Sequence, residues 1–259
     1  MNLGLIKKLR EITGVGFVDC QKALKEANDD LVKAEEILRK KGQKIALKKQ
    51  EREIKEGAIA IRQDGQRAAI VELYCETDFV ARNENFQQTI EELAGKLLEL
   101  EPEEFSAWAK EKIQNDLIVK IGENIQLGKF EIIQGDVLGY YVHFNKKLAA
   151  VVVLRGGTKE LAKELAMQVV AMDPKYLTPA EIPTEIVDKE KEVYRGQILA
   201  EKKPAAIIEK IVEGKLEKFY SEVCLLKQAY IKDEEKTVEK LIGESGADIQ
   251  VEKFVRFSL

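Results

Sequence analysis

"AAIVELYCETDFVARNENF", residues 68–86, holds the reading on which the fold depends. "AAIVELY" is a short apolar run of strand length, and Phe86 opens a helical stripe with Ile90, Leu93 and Leu97 on one face. Between them stands Thr77-Asp78-Phe79-Val80, where the strand stops before the helix begins. Phe79, Phe86 and Leu93 are seven apart, so Phe79 either extends the buried stripe of the helix or is presented to a partner. The polar "ARNEN" should interrupt any continuous helix through this point.

Upstream, the period is two from Gly57, through Ala58 and Ala60 to a "QDGQ" turn, so residues 58–74 read as a β-hairpin. Downstream, "GDVLGYYVHFNKKLAAVVVLRGG" again gives strand, polar turn and strand, and "TKELAKELAMQVVAM" again gives a helix. "AAIVEL" at 68–73 matches "AAVVVL" at 149–154, and "ELAGKLL" matches "ELAMQVV", which makes an internal repeat. Leu73 lies 19 positions before Glu92, whereas Leu154 lies only 10 before Glu164. The extra residues of the first copy fall across Thr77–Val80. If the second copy folds without them, that segment is not needed to build the unit.

At the N-terminus, three apolar stripes recur at helical spacing: Leu5, Ile6, Leu9 and Ile12; Val18, Ala23, Leu24 and Ala27; and Leu31, Ala34, Ile37 and Leu38. "TGVG" separates the first two, and Asn28-Asp29-Asp30 separates the last two. An asparagine can close one helix in the left-handed region while an aspartate caps the next. From Arg39 to Lys55 the chain is densely basic, which reads as an exposed helical linker, either a solvated face or a contact for nucleic acid or an acidic partner. Residues 181–222 alternate heavy charge with Ile186, Val193, Ile198 and Leu199, then restart at Pro204 with Ile207, Ile208, Ile211, Leu216 and Phe219. Proline suits a first helical turn and not an interior, so two antiparallel helices joined near "EKKPA" are predicted. A short helix around Val238 to Leu241 and a final strand in "ADIQVEKFVRFSL" complete the chain.

Composition excludes several function classes. With 42 Lys and Arg against 46 Asp and Glu, the net charge of −4 predicts no general affinity for nucleic acid. Three cysteines stand far apart with no paired spacing, as in a reduced cytosolic protein, and no apolar run reaches the length of a membrane span. A cytoplasmic location away from membranes is therefore expected. The single histidine, His143, cannot supply a nucleophile–base–acid set by itself and reads first as a structural residue. "GENIQLGKF" at 122–130 spaces its glycines wrongly for a phosphate loop and has Phe130 where a magnesium-binding hydroxyl would stand. No metal-ligand spacing appears. No catalytic residue, metal or cofactor is predicted, and the chain is read as a binding protein, not an enzyme.

"LREITGVGFVDCQKALKEANDDLVKAEEILRKKG", "CETDFVARNENF", "KIGENI", "GDVLGYYVH" and "VEGKLEKFYSEVCLLKQAYIKD" together resemble the elongation factor Ts family along nearly the whole chain. The resemblance implies an exchange factor that binds elongation factor Tu in its GDP-bound and nucleotide-free forms and promotes GDP release. It places Thr77, Asp78, Phe79 and Val80 against the partner's GTPase domain, where they disturb the bound magnesium. Phe17, Val18, Lys22, Ile125 and His143 stand at positions the family uses for further partner contacts. Family members often carry a methionine pair at the positions of Phe17-Val18 and a lysine at that of Gln21. This sequence stops soon after "VRF", without the further C-terminal helix of some members, so the core and Thr77–Val80 are expected to account for more of the exchange.

The expected fold is α+β. It comprises an N-terminal three-helix domain, ubiquitin-associated-like by the resemblance, a duplicated α+β core of antiparallel strands packed with helices, and a projecting antiparallel helical hairpin. The expected divisions are 1–54 for the three-helix domain and basic linker, 55–139 for the first core subdomain, and 140–180 and 225–259 for the two parts of the second. Residues 181–224 form the hairpin, a possible surface for a homodimer.

Overall fold

The computed structural model describes residues 3–49, 51–199 and 205–259. Helices and antiparallel sheets are mixed, so the fold is α+β. The chain forms two compact units. One comprises 1–133, 142–148 and 257–259, and the other 134–141 and 149–256.

In the first unit, α1 (Leu3–Thr13), α2 (Phe17–Glu26) and α3 (Leu31–Lys49) enclose a small core of Ile6, Leu9, Cys20, Leu24, Ala34 and Leu38. Asn28 and Asp29 both take positive φ, and the Asp30 carboxylate accepts from the Val32 and Lys33 amides at 3.0 and 3.1 Å. Those bonds hold the Asp30 carboxyl below the usual carboxylate range. The basic segment is not an exposed linker throughout, because α3 continues to Lys49 and Ile45 packs on the core of the unit. Gly42 makes this possible: a Cβ there would stand 2.1 Å from Val119 Cγ2 and 2.6 Å from the Gln114 carbonyl oxygen.

Strands β1 (Glu56–Asp64) and β2 (Arg67–Cys75) pair antiparallel with Asp64 opposite Arg67, and Gly65 takes φ +55° in the two-residue turn. With β3 (Gln126–Gln134) they form a sheet in the order β1-β2-β3. A one-turn helix α4 (Asp78–Ala81) follows β2. Then α5 (Glu84–Leu97) buries Phe86, Ile90, Leu93, Ala94 and Leu97 in the core that also takes Ala58, Ala60, Ala69, Val71 and Leu73. Helix α6 (Pro102–Lys112) runs through a π-helical turn, Ile113–Leu117, into α7 (Ile118–Ile121), which ends at Gly122 with φ +80°.

In the second unit, β4 (Val137–Val142), β5 (Leu148–Arg155) and β8 (Gln250–Ser258) form a sheet in the order β4-β5-β8. The last strand thus joins a sheet, as its alternating sequence predicts. Gly156 and Gly157, at φ +70° and +85°, turn β5 directly into α8 (Lys159–Met172), whose first turn is capped by Thr158 accepting from Leu161 N at 3.1 Å. Helices α9 (Thr184–Leu199) and α10 (Ala205–Val223) pack through Ile198, Ile208, Val212 and Leu216, with a two-pronged Arg195–Glu209 ion pair at 2.8 Å. Pro204, where the sequence puts their joint, lies outside the described residues. A short hairpin, β6 (Ala229–Tyr230) and β7 (Asp233–Thr237), leads into α11 (Val238–Ser245).

Candidate functional site: a one-turn helix beside a docked turn

A helix of four residues cannot hold itself together, since nucleation costs more than one turn of hydrogen bonds returns. Fixed neighbours must hold α4. Thr77, extended at φ −128° and ψ 153°, accepts from Val80 N at 3.4 Å as its N-cap. The same hydroxyl donates to Glu123 Oε1 at 2.8 Å, while Glu123 Oε2 accepts from the Glu76 and Thr77 amides at 3.2 Å each. Glu76 answers in the other direction, accepting from Asn124 N at 2.7 Å and from Arg52 at 3.2 Å. Asn124 Nδ2 then donates to the Arg52 carbonyl at 2.9 Å. Two carboxylates from distant parts of the chain thus clasp the junction between β2 and α4. Burial alone would raise the Glu76 carboxyl, but the Asn124 amide and Arg52 outweigh it and hold the group below its usual range. Beneath the junction, burial and the Glu123 charge push the Cys75 thiol up to about 12, so this cysteine stays a neutral packing group.

With the junction fixed, α4 divides its side chains. Val80 packs against the core and Ala81 is buried, whereas Phe79 stands 82% exposed. Asp78 pairs with Arg82 across one turn at 3.1 Å, both partly in solvent. Asn83 then caps α5, accepting from Asn85 N at 2.9 Å, so the helical phase restarts between Phe79 and Phe86. That restart separates Phe79 from the stripe of Phe86 and Leu93, both of them fully buried. The seven-residue spacing is therefore not a continuous core face.

Asp78, Ala81 and Arg82 line a cavity of about 690 Å³ whose other wall is the turn 144–147. This turn belongs to the first unit. Its anchor is Lys146, at φ +55°, whose carbonyl accepts from Ile59 N of β1 at 2.7 Å. The neighbouring Lys147 ammonium meets Glu56 at 2.6 Å. Phe144, at the head of the turn, is 88% exposed, and its ring centroid lies 4.5 Å from that of the half-buried His143.

The other residues singled out in the sequence are distributed differently. Ile125 is only 3% exposed and packs in the core, so its side chain lies under the site and does not face outward. Phe17, Val18 and Lys22 are exposed on α2, with Val18 and Lys22 one turn apart, and none of them lines the cavity. Sequence reasoning missed Phe144, Glu123 and Lys146. A large aromatic in the otherwise polar turn "HFNKK" was a usable signal for the first. Nothing local marks Glu123 as a partner of Thr77, 46 residues away. Among the described residues, no group of three or more His, Cys, Asp or Glu side chains could hold a metal ion, and no helix is long and apolar enough to cross a membrane.

Residues 76–259 match the family model described as elongation factor TS. Over 98% of its length the chain is 41% identical to elongation factor Ts of Aquifex aeolicus, covering 96% of that protein. It is 42% identical to elongation factor Ts of Deinococcus radiodurans, with 98% of both chains covered. A third relative, elongation factor Ts of Halothermothrix orenii, is 41% identical over 98% of this chain and 90% of its own. A latched one-turn helix that holds an aromatic in solvent, within a chain alike from end to end, leads to one assignment: the chain belongs to the elongation factor Ts family.

Proposed function

We propose that this chain binds elongation factor Tu·GDP and promotes GDP release, so that GTP can take the vacated site. The observation that carries the reading is Phe79, 82% exposed on a one-turn helix that its cap and the Glu123 latch hold in place. An aromatic held in water by a fixed scaffold gains free energy only when another molecule covers it. Burial of a phenylalanine is worth roughly 1.5 to 3 kcal/mol, a factor of about ten to over a hundred in an equilibrium before strain is subtracted.

GDP is held by phosphate-loop amides and by a magnesium ion with strict octahedral demands, so a small displacement of that loop loses several contacts together. Phe79 supplies the wedge and Asp78 brings an anion toward the phosphate and magnesium environment, with Thr77 and Val80 fixing both. Linkage is reciprocal, so GDP in turn weakens the complex. No catalytic residue is required of this chain, and no cofactor. Phe17, Val18 and Lys22 form an additional contact patch on α2, and His143, beside Phe144, is a further partner contact.

The same reading keeps the divisions 1–54, 55–139, 140–180, 181–224 and 225–259, with a ubiquitin-associated-like first domain. It makes α9 and α10 the candidate surface for a homodimer, and it places the protein in the cytoplasm without direct nucleic-acid contact. The test is stopped-flow release of labelled GDP from elongation factor Tu. Acceleration by this chain is expected, and an unchanged release rate would refute the proposal.

A further inference from the structure

We propose that Phe144 is a second anchor for the same partner, and that the cavity between its turn and α4 receives an apolar side chain from a convex face of elongation factor Tu. This rests on the exchange-factor reading above. Phe144 is the more exposed of the two aromatics, at 88% against 82% for Phe79. Its exposure is not that of a loose loop tip. Lys146 is held in a left-handed conformation that non-glycine residues seldom adopt, and its carbonyl is tied to Ile59 N at 2.7 Å. Lys147 is tied twice, by its ammonium to Glu56 at 2.6 Å and by its carbonyl to Leu259 N at 3.0 Å. A phenylalanine on a turn anchored in this way has already lost part of the backbone freedom that binding would otherwise remove.

The chemistry of the walls selects the occupant. Each cation around the cavity already has an acid: Arg82 meets Asp78 at 3.1 Å, Lys147 meets Glu56 at 2.6 Å and Lys146 meets Glu91 at 3.7 Å. Recognition therefore does not call for a counter-charge, and of the uncharged lining residues, Gly57, Ala81, Gln87, Phe144 and Asn145, it is Phe144 that offers a large exposed apolar surface. An apolar side chain packing against Phe144 fits that demand. A charged occupant would compete with the existing pairs.

Titration of elongation factor Tu·GDP with Phe144→Ala and Phe144→Leu tests the assignment. A tenfold to more than hundredfold weaker Kd is expected for the alanine variant and an intermediate value for leucine, both insensitive to added salt, with an unchanged melting temperature. A wild-type protein that binds and exchanges normally while Phe144→Ala matches it, even though Phe79→Ala is impaired, would overturn this inference alone. If the wild type does not accelerate GDP release, the functional reading falls and this falls with it. Light scattering that shows a wild-type dimer dissolved by Phe144→Ala would overturn it in favour of a second copy of this chain.

Discussion

The two copies of the strand–helix repeat solve the same packing problem and differ at one junction. In the second copy, Gly156 and Gly157 turn β5 straight into α8, and Thr158 caps a helix that buries Leu161, Leu165 and Val169. In the first, a threonine again stands at the end of the strand, but Thr77 caps only α4, and Asn83 must start the buried helix α5 afresh. The same cap thus serves the core directly in one copy. In the other it serves a helix whose largest side chain faces water. A segment that the fold can omit, held by two carboxylates and presenting an aromatic, is built for something outside its own core.

The comparison is broken most directly at Phe79. Phe79→Ala should slow exchange on elongation factor Tu by an order of magnitude or more while the thermal midpoint stays within a degree or so, because an exposed ring contributes little to folding. A loss of stability with normal exchange would return Phe79 to a structural role. The latch comes next. Glu123→Gln keeps the shape but replaces one acceptor with an NH₂ group, so either the Thr77 hydroxyl or the Glu76 and Thr77 amides lose their partner. At about 1–3 kcal/mol for an unsatisfied polar group, exchange should fall several-fold and amide protection at Glu76 and Thr77 should drop in hydrogen exchange.

Matched threonine substitutions sharpen the contrast between the copies. Thr77→Val and Thr158→Val each remove a cap worth about 1 kcal/mol. Only the first should reduce GDP release, whereas the second should appear as a lower melting temperature with normal exchange. Thr77→Ser retains the hydroxyl and should restore activity. If both valine variants affected exchange equally, the two junctions would not differ in role.

Acid should loosen the first junction, since the Glu76 carboxyl lies below its ordinary value of 4.5 in the folded protein. A depressed carboxylate favours folding above the unfolded value, and that contribution is lost as pH falls through the folded one. Glu76→Gln should accordingly flatten part of the stability profile below about pH 4.5 in denaturant titrations and leave it unchanged near neutrality apart from a constant offset. The smallest effect is expected at Arg82→Ala. Its pair with Asp78 is largely solvated, so stability should change by less than about 1 kcal/mol in the same titrations.

Much of the architecture was legible because it rests on local periodicity. Ile90, Leu93 and Leu97 announce α5, Asp30 announces the cap of α3, and the glycine in "QDGQ" announces the β1–β2 turn. The site was only half legible. Thr77–Val80 stood out as residues that the second copy lacks, but a spacing of seven fitted a buried Phe79 as well as an exposed one. Periodicity cannot detect that Asn83 restarts the helix, since a cap is a matter of backbone angles and one hydrogen bond. Nor could it detect that α3 runs on as a docked helix, which depends on the fit of Gly42 against Val119.

By itself, the amino-acid order marked the three N-terminal helices, the β1–β2 and β4–β5 hairpins, α5, α8 to α11 and the last strand, that one unit is repeated, and which residues are surplus in the first copy. These follow from side-chain period and backbone preference, which act between near neighbours. Only the tertiary structure decided that Phe79 faces water, that Glu123 secures the turn beneath it, and that Phe144 stands across a cavity from Asp78. Each depends on groups 46 to 66 residues apart meeting in space, and pairings over such distances are selected by the packing of the whole unit.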